Sequence, residues 1–126
     1  MRRVFLLALL MLPGCALLPS SGQRFVVFFP DSGVKLDDAA AQVVAAASDQ
    51  AVAHPDRVVI VAGFADPSGT PAANAQVIRD RTTAVSEALA ARGLPAARIQ
   101  VRDAGQVEFA LNSQESRRVV VTVGRP

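Results

Sequence analysis

Arg57-Val58-Val59-Ile60-Val61-Ala62-Gly63 is a continuous apolar, β-branched run bounded by breaking residues on both sides. A strand of this composition belongs in the middle of a sheet, where both of its faces are covered. His54-Pro55-Asp56 precedes it and a turn-forming stretch from Phe64 to Gly69 follows it. On either side lies a helical pattern, so the chain must place helices against a sheet built around this strand.

The flanking elements follow from local chemistry. Arg24-Phe25-Val26-Val27-Phe28-Phe29 reads as a first strand stopped by Pro30, with Asp31-Ser32-Gly33 as a turn. Asp37 or Asp38 caps a first helix, and Leu36 sits just outside as a staple. Ala40, Val43, Val44, Ala47 and Ala51 repeat at helical spacing to about Ala53. Thr70-Pro71 is a cap followed by proline at the first helical position, and this second helix runs to Arg92. Gly93-Leu94-Pro95 ends it. Ile99 and Val101 alternate with polar residues in a third strand, and Ala104 to Ser116 reads as irregular. Arg117 to Val123 is a last strand, with Val119, Val121 and Val123 on one face. The order β-α-β-α-β-β predicts an α+β two-layer sandwich: a four-stranded mixed sheet with two helices on one face.

The N-terminus has a different character. Met1-Arg2-Arg3 precedes the apolar run Val4 to Leu12, which is too short to span a bilayer and has the layout of an export signal. Leu12-Pro13-Gly14-Cys15 resembles a bacterial lipobox, which implies a signal peptide at 1–14 and acylation of Cys15. Each buried acyl methylene contributes about 0.8 kcal/mol, so a triacylated (palmitate-bearing) cysteine anchors firmly. By resemblance to sorted lipoproteins, Ala16 after the cysteine favours the outer membrane, with the domain facing the periplasm. Residues 15–23 then form a lipidated cysteine and short tether, and 24–124 the folded domain. Nine tether residues reach at most about 30 Å.

Composition excludes several functions. The chain has 126 residues, one Cys and one His, too few for an internal disulfide or an ordinary zinc site. Its net charge of +2 comes from 13 basic and 11 acidic residues. Arg2 and Arg3 lie in the signal, so the mature domain has 11 of each sign and no basic bias. Arginines are scattered and often sit beside acids, as in Arg79-Asp80-Arg81, which argues against a nucleic-acid face. The group Phe25, Phe28 and Phe29 reads as core. Ser32, His54 and Asp66 have no hydrolase spacing, no phosphate loop is present, and His54 reads as a solvated helix-end residue. No enzyme activity and no cofactor are expected.

One feature of the second helix breaks the pattern. Its inner stripe reads as Val77, Ala84, Val85, Ala88 and Leu89, and Arg81 falls within it, with Asn74 two turns earlier on the same side. A cation in an apolar stripe needs a partner, and Asp66 in the preceding loop is the natural one. The two either pair only with each other, tying loop to helix, or hold a zwitterion, with Arg81 on its carboxylate and Asp66 on its ammonium.

Gly63-Phe64-Ala65-Asp66-Pro67-Ser68-Gly69, then Asn74, Arg81 and Val85, resembles the signature of OmpA-like peptidoglycan-binding domains. That signature is roughly G-H-T-D-x-x-G, four residues, then N-x-x-L-S-x-x-R-A-x-x-V, and every gap matches. Val26 to Leu36, Gly93 to Ile99 and Ser116-Arg117-Arg118-Val119 resemble other parts of the family pattern. The resemblance implies that Asp66 and Arg81 grip the diaminopimelate of the peptidoglycan stem peptide. Asn74 would support the loop and contact the peptide, and Val77 would lie beside it. Asp31, Ser32 and Gly33 would offer backbone contacts, and Arg117 or Arg118 a second cation. Strand parity puts Arg117 on the face of Val119, without deciding between the two arginines. Phe64, Ala65, Ile78 and Thr82 depart from the pattern. The implied function is a lipoprotein that joins outer membrane to cell wall by binding peptidoglycan. The alternative is an OmpA-like structural subunit that binds other envelope proteins, motivated by a pocket made more apolar by Phe64, Ala65 and Ile78.

Overall fold

The structure is a computed structural model that describes residues 22–30, 33–65, 69–106 and 117–125, with 103–106 as backbone. Its strands are β1 (Gln23–Phe28), β2 (Val58–Ala65), β3 (Ile99–Gln106) and β4 (Arg118–Gly124), and its helices α1 (Asp38–Ala53) and α2 (Pro71–Ala91). The order in the sheet is β1-β4-β2-β3. β4 is antiparallel to both neighbours, and β2 and β3 are parallel. The strand formed last in sequence thus sits in the middle, and the parallel pair is joined by the α2 crossover. The expected four-stranded mixed sheet with two helices is what the chain adopts.

Local chemistry sets the helix ends. Asp37 is the α1 cap, its Oδ1 accepting from the Ala40 N–H at 2.8 Å. Thr70 Oγ1 accepts from the Ala73 N–H at 3.2 Å, with Pro71 at the first helical position. Gly93 takes a φ of +98°, which costs glycine little, and its N–H reaches Ala90 O while that of Leu94 reaches Leu89 O. A short 3-10 turn at Ala96–Arg98, not evident from the sequence pattern, leads into β3. There Arg98 donates to the carbonyls of Ala51, His54 and Arg57, closing the end of α1. His54 is half-buried at that end, its Nδ1 3.0 Å from Gln50 O, rather than merely solvated.

The core lies between sheet and helices. Val27 and Phe29, Val59 and Val61, and Val119, Val121 and Val123 meet Ala40, Val44, Ala47 and Ala51 of α1 and Val85 and Leu89 of α2. The alanines of α1 let the helix lie close to the sheet. Three expectations are corrected here. Phe28 is not core: strand parity turns it to the face without helices, where it is 43% exposed. β2 continues past Gly63 to Ala65. β3 continues past Arg102 to Gln106, because Gly63 and Ala65 offer it a partner edge, with a register shift between them.

Candidate functional site

The site begins where α2 crosses the end of β2. A Cβ on Gly63 would stand 2.7 Å from Thr82 Cγ2 and 2.8 Å from Ile78 Cγ2, so only glycine permits this approach. Ile78 and Thr82 therefore face the sheet, and the inward stripe of α2 is Asn74, Ile78, Arg81, Thr82, Val85 and Leu89. Val77, expected in that stripe, is only half-buried beside it. Thr82 spends its hydroxyl inside the helix, donating to Ile78 O at 2.9 Å, so its burial leaves no unmet donor.

Arg81 is 1% exposed, the largest of the fully buried side chains. Its Nε donates to Gly33 O at 3.1 Å, which ties α2 to the segment between β1 and α1. Its Cζ stands 5.1 Å from the centroid of the Phe29 ring. Arg117 Nε donates to Phe29 O at 3.4 Å, and Phe29 N–H donates to Arg117 O at 3.0 Å. Burial first, and then the positive charge of Arg117, push the Arg81 guanidinium below its ordinary value. Its intrinsic basicity keeps it charged at any physiological pH.

The two candidate second cations separate. Arg117 lies on the helix side, near enough to Arg81 to act on its charge. Arg118 is on the opposite face, its Cζ 4.3 Å from the centroid of the Phe64 ring. Strand parity explains both: β2 buries Val59, Val61, Gly63 and Ala65 and turns Phe64 outward. Phe64 therefore does not line the space around Arg81, contrary to the expectation that it makes the pocket apolar. Ala65 and Ile78 are 2% and 3% exposed and face the packed interior.

Asn74 is buried and its Nδ2 lies 3.4 Å from Gly69 O, a contact that fastens the loop to α2. A Cβ on Gly69 would press on the Asn74 side-chain amide, which would have to shift. The structure thus brings together Arg81, Arg117 and Asn74 and leaves Arg118 apart. Asp31, Ser32, Asp66 and Cys15 lie outside the described residues. The sequence does not single out Phe29, nor the Gly33 carbonyl as a partner of Arg81. The signal for Phe29 was its two-residue spacing from Val27, which puts its ring on the helix side. Among the described residues no three His, Cys, Asp or Glu side chains gather as metal ligands, and no helix is long and apolar enough to cross a membrane.

The model of the OmpA family matches residues 28–120. The chain belongs to that family. Solved OmpA-like structures share the fold. The peptidoglycan-associated lipoprotein of Burkholderia pseudomallei is 20% identical, with a TM-score of 0.70 over 79% of this chain and 89% of that one. The OmpA-like domain of FopA1 from Francisella tularensis subsp. tularensis SCHU S4 is 18% identical, with a TM-score of 0.72 over 82% and 72% of the two chains. The cell wall anchor of the T6SS from Pseudomonas aeruginosa is 20% identical, with a TM-score of 0.62 over 82% of each. None of the curated proteins matches the sequence. At these identities the OmpA-like structures speak for the fold alone.

Proposed function

We propose that this OmpA-like domain binds peptidoglycan non-covalently through the diaminopimelate of the stem peptide. The observation that carries the reading is the buried Arg81, oriented by the Phe29 ring and the Gly33 carbonyl. A planar guanidinium matches a carboxylate two-pronged. Both ends of the loop that holds Asp66 are fastened to α2: Gly63 packs on Ile78 and Thr82, and Gly69 on Asn74. That supports Asp66 and Arg81 acting together on a zwitterion, the acid on its ammonium and the guanidinium on its carboxylate. Asn74 holds the loop, Val77 borders the peptide, Asp31 and Ser32 supply backbone contacts, and Arg117 adds a second positive charge.

The rest of the reading concerns the ends. Residues 1–14 are a signal peptide, Cys15 is acylated, 15–23 are the tether and 24–124 the domain, held at the outer membrane and facing the periplasm. The protein then links that membrane to the wall and catalyses nothing. The partner-binding alternative drew on Phe64, Ala65 and Ile78; Phe64 is on the other face and the remaining two are buried, so no observation favours it.

Sedimentation with purified diaminopimelate-containing sacculi tests the binding. The unchanged protein should pellet and the Asp66→Ala/Arg81→Ala variant should stay in solution. Equal, poor pelleting of both would refute it. Incorporation of labelled palmitate, abolished by Cys15→Ser, tests the anchor separately.

A further inference from the structure

Among the described residues β1 is an edge of the sheet, paired with β4 alone. The bond from Phe29 N–H to Arg117 O continues the β1–β4 register, in which Val27 faces Val119 and Phe25 faces Val121. In an antiparallel ladder the residues that exchange hydrogen bonds alternate. Phe25, Val27 and Phe29 therefore turn their backbone groups toward β4, and Arg24, Val26 and Phe28 turn theirs outward along the edge. Sheet edges are commonly guarded by several charges, by proline or by bulges. Within β1 the single charge is Arg24, and no proline interrupts it. Beside this edge runs a groove of about 250 Å³ lined by Val26, Phe28 and Pro30 and, from α1 and its cap, by Asp37, Ala40 and Val43. A strand edge beside an apolar groove under a helix is an arrangement that accepts an additional strand.

The chemistry along the edge selects the occupant. One end carries a cation, Arg24, and the other carries the exposed Phe28 ring, both on the sheet face opposite the helices. A strand laid antiparallel on β1 needs a cation opposite Phe28 and an aromatic group opposite Arg24. β1 itself satisfies this requirement. We propose that a second copy of this chain adds its β1 antiparallel to this edge, about a two-fold axis at Val26, joining the two sheets. Val26 then faces Val26 of the other copy, and each Arg24 comes opposite the other copy's Phe28. Each contact occurs twice, as a two-fold interface demands. The cation over the aromatic ring adds to the backbone bonds, and a register shifted by two residues loses both pairs.

Thiol cross-linking of the full chain in its envelope tests this. A Val26→Cys variant treated with a short thiol cross-linker should give a covalent dimer well above the unchanged chain, which sets the background. Ile60→Cys, on the same sheet face but in the interior strand β2, should stay at background. Adding Arg24→Glu to Val26→Cys should lower the dimer fraction about tenfold, because a carboxylate then faces the negative face of the Phe28 ring. Phe28→Lys should lower it as well, because two cations then face each other across the strands. Both positions are exposed, and circular dichroism of each variant checks that the fold is kept. Dimer at background in Val26→Cys, equal dimer in Ile60→Cys, or a Val26→Cys dimer indifferent to Arg24→Glu would each overturn the proposal. The readout does not involve peptidoglycan, so it stands or falls apart from sacculus binding.

Discussion

The guanidinium of Arg81 lies over the ring of Phe29, 5.1 Å from its centroid, and this contact joins the far ends of the domain. Phe29 follows β1 and exchanges a backbone hydrogen bond with Arg117, at the entry to β4. Arg81 stands in the middle of α2. The ring thus fixes where the buried cation points, and the negative quadrupole of its face offsets part of the cost of burial.

Phe29→Leu should keep the fold and loosen the site. A Leu fills most of the volume at a cost of about 1.5 kcal/mol or less, but offers no aromatic face. Sacculus binding is expected to fall several-fold while the circular dichroism spectrum is unchanged. Binding equal to that of the unchanged protein would show that the ring does not orient Arg81.

Arg81→Lys should also fail, although the charge survives. Lys has no Nε–H at the position that reaches Gly33 O and no planar fork for a carboxylate. Sacculus binding should drop by about tenfold or more, equivalent to roughly 1.4 kcal/mol. Pelleting of Arg81→Lys at the level of the unchanged protein would mean that charge alone suffices.

The two adjacent arginines should differ in effect. Arg117 bears on the charge of Arg81, whereas Arg118 stacks on Phe64 across the sheet. Arg117→Ala is expected to weaken sacculus binding, and Arg118→Ala to leave it within about twofold while costing about 0.5–1 kcal/mol of stability. Parallel sedimentation and urea unfolding of the two variants separate the roles.

Much of this was legible in the sequence because the decisive residues violate a local pattern. Arg81 declared itself as a charge in an apolar stripe, and Gly63 as a glycine ending a β-branched run. The direction of Phe64 is legible too, since period two from Val59 and Val61 turns it outward. Val77 and Ile78 could not be ranked by hydrophobicity, being both apolar and β-branched. The close crossing at Gly63 decides for Ile78. β3 beyond Arg102 was not legible, because Asp103 and Gly105 have poor strand propensity. There the pairing with β2 overrides local preference.

The crossing itself is testable. Gly63→Ala places a methyl against Thr82 Cγ2 and Ile78 Cγ2. Overpacking of this kind costs about 1–3 kcal/mol. Thr82→Ser removes one of the two obstructing methyls, so the double variant should recover part of the loss. Urea unfolding of the two single variants and the double one gives their coupling energy. Strict additivity would mean that the strain is relieved elsewhere.

The end of α1 depends on a single side chain from a distant part of the sequence. Arg98 sends its Nη2 to the carbonyls of Ala51, His54 and Arg57 at 2.8, 3.0 and 2.9 Å, and its Nε to Arg57 O at 3.2 Å. Helix-terminal carbonyls lack intrahelical partners, and a cation at a helix C-terminus also meets the negative end of its dipole. No basic residue in the last turn of α1 does this locally. Arg98→Met keeps the aliphatic stem and removes every donor, so the loss isolates the hydrogen bonds. Charge-assisted bonds contribute about 1.5–3 kcal/mol each and do not add fully, so a destabilisation of about 2–4 kcal/mol is expected. For a domain of this size that lowers the thermal midpoint by about 10 °C or more. Arg98→Lys should recover only a part, because one ammonium cannot span three carbonyls from a fixed plane. Thermal unfolding of the two variants decides it: a Met variant as stable as the unchanged protein would mean that solvent satisfies those carbonyls equally well.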